Sequence, residues 1–293
     1  MSHLSYVEAV VIGALQGVTE LFPISSLGHS ILLPALIGGS WAGDLDMSAP
    51  ESPYLAFVVG LHVATALALL VFFRRDWVRI VGGLVSSVRH RRISTTYERL
   101  AWLIIVATIP VGVCGLLLEH LFRTTLGKPM PAAAFLIANG VVLYAGERMR
   151  RNSTENTSKA TESDERLSRL SLPEGALVGG AQVLALLPGI SRSGATMVAG
   201  LVRGLSHEDA ARFAFLLATP VILAAGVLKL PTLAGPLGAG IGGQVLAGSV
   251  ASFLCAYLSV RFLTKYFETR SMTPFAIYCV VAGAGSLTWL ALH

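Results

Sequence analysis

The sequence predicts an all-α polytopic membrane protein in which six transmembrane helices and two re-entrant helical hairpins form an inverted-topology repeat. Three observations carry this. Of the 293 residues 54% are hydrophobic and 13% charged, with a mean hydropathy of +0.68, against roughly 25% charged in an ordinary soluble domain. Two long apolar stretches are interrupted near their middles, at Phe22-Pro23 and Pro188-Gly189, with serines and ionisable residues just beyond each break. The chain also matches itself at an offset of 166 residues, setting EAVVIGALQGVTELFPISSLGHS (8–30) on EGALVGGAQVLALLPGISRSGAT (174–196) with seven identities in 23 and no gap.

The elements follow in order. Repeat one, 1–146, begins with a hairpin over 7–38, because Pro and polar side chains at mid-depth survive only where irregular backbone faces protein or a water-filled cavity. Spans follow at 54–73, 100–118 and 131–146, long enough to cross about 30 Å of hydrocarbon at about 1.5 Å per residue. A polar linker at 147–172, rich in Ser, Thr, Glu and Arg, reads as a mobile tether. Repeat two, 173–293, restarts with a hairpin over 173–203 and spans at 211–229, 241–263 and 274–292. The third span of each half begins at a proline, Pro131 and Pro274. Three crossings per half turn the second copy upside down relative to the first.

Charge sets the orientation. Segment 74–99 carries Arg74, Arg75, Arg79, Arg89, Arg91, Arg92 and Arg99, and the linker carries Arg148, Arg150, Arg151, Lys159, Arg166 and Arg169, so both are expected in the cytoplasm. Segment 39–53 has Asp44, Asp46 and Glu51 with no base, and 230–240 has no charge, so both face outward with the two termini. The net charge of +5 and pI near 9.3 are explained by these loops, and no nucleic acid is expected as a partner. The first ten residues lack a cationic leader and carry Glu8, so the N-terminus reads as uncleaved. Cys114, Cys255 and Cys279 lie in apolar stretches and have no metal-ligand spacing. Asn152 and Asn156 begin Asn-x-Ser/Thr patterns that an inside linker leaves unused.

The chemistry gathers behind the two breaks. Gln16 and Glu20 are four apart and share a helix face; Ser25, Ser26, Gly28 and His29 follow the first break. Ser191, Arg192, Ser193, Gly194 and Thr196 follow the second. An ionisable side chain at mid-membrane costs at least about 2.5–3.5 kcal/mol, so Glu20 and Arg192 need either each other or a function. Ser/Gly-rich helix starts favour an anion, Arg192 adds a fork suited to phosphate, and Glu20 and His29 add acid–base or metal-ligand capacity. The pattern is that of phosphoryl chemistry.

The segments QGVTELFPISSLGH (16–29) and PGISRSGAT (188–196) resemble, in order, the two signatures of the bacterial undecaprenyl-diphosphate phosphatase family, the integral-membrane bacitracin-resistance type. The likeness continues through FVVGLHVATALALLVFFRRDW (57–77), FAFLLATP (213–220) and PFAIY (274–278), covering nearly the whole chain outside the linker. It implies hydrolysis of a polyprenyl diphosphate lipid, undecaprenyl diphosphate, to the monophosphate and phosphate, with a divalent cation and a site open to the outer face of the bacterial cell membrane. Glu20 matches the second carboxylate of the first motif, Ser26 its proposed nucleophile, His29 its histidine and Arg192 the phosphate-binding arginine. Ser191, Ser193 and Gly194 match the remainder of the second motif. Gln16 stands where many members carry a first Glu, and Leu27 replaces a small or hydroxyl residue.

The expected mechanism has Arg192 and the helix starts holding phosphate oxygens, with Ser25, Gly28, Ser191, Ser193, Gly194 and Thr196 as substrate contacts. Ser26 attacks the terminal phosphorus or positions a water, His29 is the general base, and Glu20 binds the cation or orients His29. Oxygen donors and phosphate favour Mg²⁺ or Ca²⁺, with Gln16 as a second ligand beside Glu20. A lipid flippase or anion transporter would share the broken helices, but has little need of a Ser/His/Glu set within ten residues. Small residues on the spans leave a homodimer open. His62, within a span, either lines the site or packs against a carbonyl. Gln182 reads as a hairpin-stabilising amide, Glu8 and Glu174 as first-turn acids, and His3, His90, His120, His207 and His293 as solvated or interfacial. The glycines from Gly235 to Gly243 lack the Lys-Ser/Thr of a phosphate loop.

Overall fold

The computed structural model describes residues 4–45, 53–152, 163–235 and 240–292. Among them the chain is helical throughout, with no strand. The first apolar stretch is two short helices, α1 (Tyr6–Thr19) and α2 (Ser26–Ile37), followed by a short α3 (Gly39–Asp44). Then come α4 (Pro53–Phe72), α5 (Arg74–His90), α6 (Thr96–Leu126), α7 (Pro129–Asn152) and the short α8 (Ser163–Ser168). The second broken stretch is α9 (Leu172–Gly180), a 3₁₀ turn over Ala181–Leu186, and α10 (Arg192–Val202). The chain finishes with α11 (His207–Ala234), α12 (Gly242–Tyr266) and α13 (Thr273–Leu292).

All six predicted spans fall on helices, of which α6 and α7 run on past their expected ends at 118 and 146 to Leu126 and Asn152. Five described helices are long and apolar enough to cross a membrane, and a sixth is added if Phe57–Phe72 and Arg74–His90, bent by 86°, count together. Their outward faces carry Ile109, Val113, Leu116 and Leu117 on α6, Leu246, Leu254 and Leu258 on α12, and Ile277, Val281 and Trp289 on α13, all exposed. Water would not tolerate so continuous an apolar exterior, and hydrocarbon would. The chain is a multi-pass membrane protein. Phe57, Leu103, Leu136, Phe213, Phe215 and Leu217 fill the centre.

Local sequence sets the starts of the two broken stretches. Ser5 and Glu8 form a capping box at α1, and Ser171 and Glu174 form the same box at α9. Both acids therefore stand where first-turn acids were expected, with the added role of bonding the cap backbone. Small residues then allow close packing. A Cβ on Gly13 would strike the backbone of Gly248 in α12, and one on Gly179 would strike the backbone of Ala107 in α6.

Two features depart from the sequence reading. Residues 74–90, expected as part of a loop, form α5, whose Ile80, Leu84 and Ser87 turn inward while Val78, Val81, Val85 and Val88 stay exposed. The linker is not a tether throughout. α7 continues to Asn152, and α8 is pinned by Asp164 Oδ1, which accepts from Arg212 Nη2 (2.7 Å), and by Arg166, which donates from Nε to Asp209 Oδ2 (2.7 Å) and from Nη2 to Asp209 Oδ1 (2.8 Å). The expectations for Asp46, Glu51, Asn156, His3, His293 and the middle of the 235–243 glycine run fall outside the described residues.

Candidate active site

The two broken stretches meet at their turns, and this meeting builds the site. Gly28 and Gly189 touch backbone to backbone: a Cβ on Gly28 would lie 3.0 Å from Gly189 Cα, and Gly189 itself has φ +112°. Asn139, buried in the middle of α7, holds both turns together. Its Nδ2 donates to Pro23 O (3.0 Å) and its Oδ1 accepts from Ser191 N (2.9 Å). From the other side the Ser193 hydroxyl donates to Phe22 O (3.3 Å), as Ser191 does at the longer distance of 3.5 Å.

α2 and α10 thus start side by side. Ser25 caps α2 by accepting from Gly28 N (3.2 Å), and Ser191 caps α10 by accepting from Gly194 N (3.1 Å). Ser25 has φ +70°, a conformation that costs a non-glycine residue on the order of 1–3 kcal/mol and tends to persist at functional sites. Ser26 and Arg192 are the first residues of their helices, at matching places in the two stretches.

Glu20 lies at the centre, on the turn after α1, and is buried. One of its oxygens, Oε1, accepts from Arg192 Nη2; the other, Oε2, accepts from Ser26 Oγ and from Gln16 Nε2 (2.9 Å). His62 Nε2 stands 3.5 Å from Oε2, while His62 Nδ1 donates to Val58 O (2.9 Å). His62 therefore does both things open to it: it packs against a carbonyl and it lines the site. Arg192 also reaches Ala218 O from Nη1 (3.4 Å). The Glu20–Arg192 pair offsets the burial of both charges, which neither could bear alone.

His29 lies one turn along α2 and faces elsewhere. Its Nδ1 donates to Ser25 O (2.7 Å), leaving the Nε2 lone pair to accept from Tyr278 Oη (2.8 Å), with the two rings parallel at 5.7 Å. The group that Ser26 Oγ reaches is the Glu20 carboxylate. Thr196 turns away, donating to Arg192 O (2.9 Å) within its own helix. Ser191 and Ser193 bond to each other (3.1 Å) and to the first turn. Gly28 and Gly194 serve close approach. Gln182, buried, donates to Gly179 O (3.2 Å), the stabilising amide expected of it.

Two participants were not singled out from sequence as part of this arrangement. Asn139 could have been found as the one amide in the apolar run 131–146. Tyr278 carries no such signal, being one aromatic among many. Away from this site, His207, expected to be solvated or interfacial, is buried at the junction of α7, α11 and α13, where it donates from Nε2 to Glu147 Oε2 (2.8 Å) and accepts from Arg150 Nη1 at Nδ1 (2.9 Å).

A divalent cation finds one carboxylate here. Among the described residues no three His, Cys, Asp or Glu side chains converge as ligands; the oxygen donors at hand are Glu20, the Gln16 amide and the Ser26 hydroxyl. That set fits a hard ion that takes most of its ligands from water and substrate phosphates, and does not fit a closed zinc site.

The fold and site together define a polytopic membrane protein with a buried carboxylate, a serine and an arginine fork where two broken helices meet. A sequence model described as bacitracin resistance protein BacA matches residues 9–285, and the chain belongs to that family. It is 70% identical to an undecaprenyl-diphosphatase of Mycolicibacterium paratuberculosis, over 100% of this chain and 99% of that one. It is 52% identical to undecaprenyl-diphosphatase 1 of Frankia casuarinae (97% and 98%) and 43% identical to undecaprenyl-diphosphatase 2 of Chromobacterium violaceum (97% and 98%).

Proposed function

We propose that this chain is an undecaprenyl-diphosphatase, hydrolysing undecaprenyl diphosphate to undecaprenyl phosphate and inorganic phosphate and so recycling the lipid carrier of cell-wall synthesis. Full-length identity to relatives of that name supports the activity. The structural observation that carries it is the Glu20 carboxylate joining Ser26 to Arg192. A nucleophile, a proton acceptor and a phosphate-binding fork within one set of contacts are what phosphoryl transfer requires.

Arg192 and the starts of α2 and α10 bind the diphosphate oxygens and offset charge as the bond breaks. Ser26 Oγ attacks the terminal phosphorus while its proton passes to Glu20, and undecaprenyl phosphate departs as an anion that needs no proton. Water then attacks the phosphorus of the phosphorylated Ser26, Glu20 returns its proton to the departing Ser26 Oγ, and the water's proton stays on the released phosphate. Glu20 takes the base role toward Ser26 because it is the group in reach, whereas His29, expected from sequence in that role, has both ring nitrogens held by Ser25 and Tyr278. Glu20 and Gln16 are the residues that would hold Mg²⁺ or Ca²⁺, which supplies positive charge beside the diphosphate. Gln16→Glu should then lower the cation concentration for half-maximal rate, and an unchanged cation dependence removes Gln16 as a ligand.

The reading includes an inverted repeat with both broken stretches re-entrant. Supporting it, α1 packs on α12 as α9 packs on α6, while α4 pairs with α11 and α7 with α13. The capping boxes at Ser5/Glu8 and Ser171/Glu174, the caps Ser25 and Ser191, and the packed glycines Gly13 and Gly179 all keep the 166-residue offset. With the basic loops read as cytoplasmic, α5 and α8 lie inside and the site opens to the outer face. Phosphate release by purified protein in detergent, supplied with cation and undecaprenyl diphosphate, tests the activity. Turnover is expected; none would favour a carrier.

A further inference from the structure

At the end of α12 a cavity of about 480 Å³ lies outside the site just described. Its walls are Leu258, Phe262 and Tyr266, and its rim carries Arg261, Lys265 and Arg270. Three cations stand there within ten residues without a carboxylate, whereas Arg212 is paired with Asp76 and Asp164, Arg166 with Asp209 and Arg192 with Glu20. Among the described residues none of Arg261, Lys265 and Arg270 makes an ion pair, and Glu268, between them in sequence, makes none either. The rim is exposed, so these charges remain free to meet an anion.

The wall is built in advance. Phe262 stacks on Phe22 with centroids 6.0 Å apart and planes within 7°, and it lies 5.6 Å from Tyr266, which in turn packs edge-on against Phe267 and Phe275. A cavity lined by braced rings does not need to be opened by its ligand, which spares the ordering cost of binding. Its volume lies within the range of about 300–1,000 Å³ usual for small-molecule sites.

Position decides the class of ligand. The end of α12 lies beside the start of α13, whose neighbour Met272 donates its N–H to Glu147 near the end of α7 (3.2 Å), and Glu147 bonds His207 at the start of α11. This is the end of the bundle where the arginines of α5, α7 and α8 also gather, and a basic end is the cytoplasmic one. Leu258 and Phe262 are exposed on a spanning helix, so acyl chains reach the cavity from the side, and the cations stand at its headgroup end.

We propose that this cavity binds an anionic phospholipid of the surrounding leaflet. Its phosphate lies among Arg261, Lys265 and Arg270, and the first part of an acyl chain lies on Leu258, Phe262 and Tyr266. The site differs from the reaction site in its lining residues and in having cations without a carboxylate, nucleophile or helix start.

The test uses full-length protein in nanodiscs, measuring retention of phosphatidylglycerol against phosphatidylcholine by native mass spectrometry. Wild type should retain phosphatidylglycerol selectively. The triple variant Arg261→Gln, Lys265→Gln, Arg270→Gln should bind it roughly a hundredfold more weakly, as each cation near a lipid phosphate contributes several-fold. A second variant, Arg261→Lys with Arg270→Lys, should keep most of the selectivity, since point charges suffice at a rim; this separates lost charge from lost folding. Equal retention by wild type and the glutamine variant would overturn the proposal. So would displacement of the lipid by millimolar inorganic phosphate, which would make the site one for free phosphate.

Discussion

Arg192 has two roles that a lysine could not fill together. It neutralises Glu20 from Nη2 while Nη1 reaches Ala218 O, and in the proposed reaction the same planar fork spans phosphate oxygens. Arg192→Lys keeps the charge but loses the fork, so turnover should fall on the order of a hundredfold, the usual effect of removing one donor from a developing anion. A near-normal kcat in the purified lysine variant would return Arg192 to a purely structural pair. Ser26 is coupled to the same carboxylate. Ser26→Ala and Glu20→Gln should each remove most phosphate release, and the double variant should be scarcely slower than Ser26→Ala alone, because groups that act as one unit do not add. Independent, multiplying losses would break the pairing of nucleophile and base. The sequence made these residues visible as types: a carboxylate and an arginine in apolar runs stand out by their cost. It did not show who touches whom. Ser26 and His29 are three apart on one helix and look like a nucleophile and its base. The ring is instead bonded to Ser25 O and Tyr278 Oη, and the group Ser26 reaches is Glu20, six residues earlier and across a turn.

At the scale of elements, the site depends on how two turns are held against each other. Asn139 is the fastener: it satisfies Pro23 O from one broken stretch and Ser191 N from the other. Asn139→Leu fills a similar volume but strands both groups where no water reaches. A buried unsatisfied group costs about 1–3 kcal/mol. The variant should therefore unfold at a clearly lower temperature, and its turnover should drop even though no contact with substrate is lost. Unchanged thermal stability with unchanged turnover would mean that the turns need no fastener. The capping boxes were legible because Ser-x-x-Glu is a local signal. α5 was not, because seven arginines over 74–99 hide its apolar residues from a search for spans. Its valines at 78, 81, 85 and 88 nevertheless recur at helical spacing, and the exposed stripe they form is what a helix lying along a membrane surface presents. The order in α8 was hidden for another reason: its composition is that of a linker, and its partners Tyr97, Arg212 and Asp209 all lie more than forty residues away.

For the whole molecule, the proposed inversion makes a claim about sidedness that no local contact can make. If three crossings separate the two broken stretches, the segments flanking repeat one and repeat two fall on predictable faces. Gly43 in α3 and Gly242 at the start of α12 then lie outside, while Gly82 in α5 and Arg169 beside α8 lie in the cytoplasm. A Cβ at any of the three glycines meets open space, and Arg169 is exposed with only a surface ion pair to Glu165. Cysteines at these four positions should therefore fold normally and report only on access. Cys114 and Cys255 would first be changed to serine; Cys279 is fully buried and can stay. In intact cells an impermeant thiol reagent should label Gly43→Cys and Gly242→Cys, and leave Gly82→Cys and Arg169→Cys unlabelled until the cells are broken. The pairs carry different weight. Gly43 and Gly82 flank one span, so opposite labelling there only confirms that α4 crosses. Gly82 and Arg169 bracket two spans and the turn between them, and Arg169 and Gly242 bracket the second broken stretch and α11. If α9 and α10 crossed the membrane instead of returning to the side they came from, Gly242 would move to the face of Arg169. Labelling of Gly242→Cys only after lysis, with Gly43→Cys still labelled from outside, would thus remove the second hairpin and with it the inverted repeat. The contacts between Glu20, Ser26 and Arg192 would survive, and the outward opening of the site would have to be argued again.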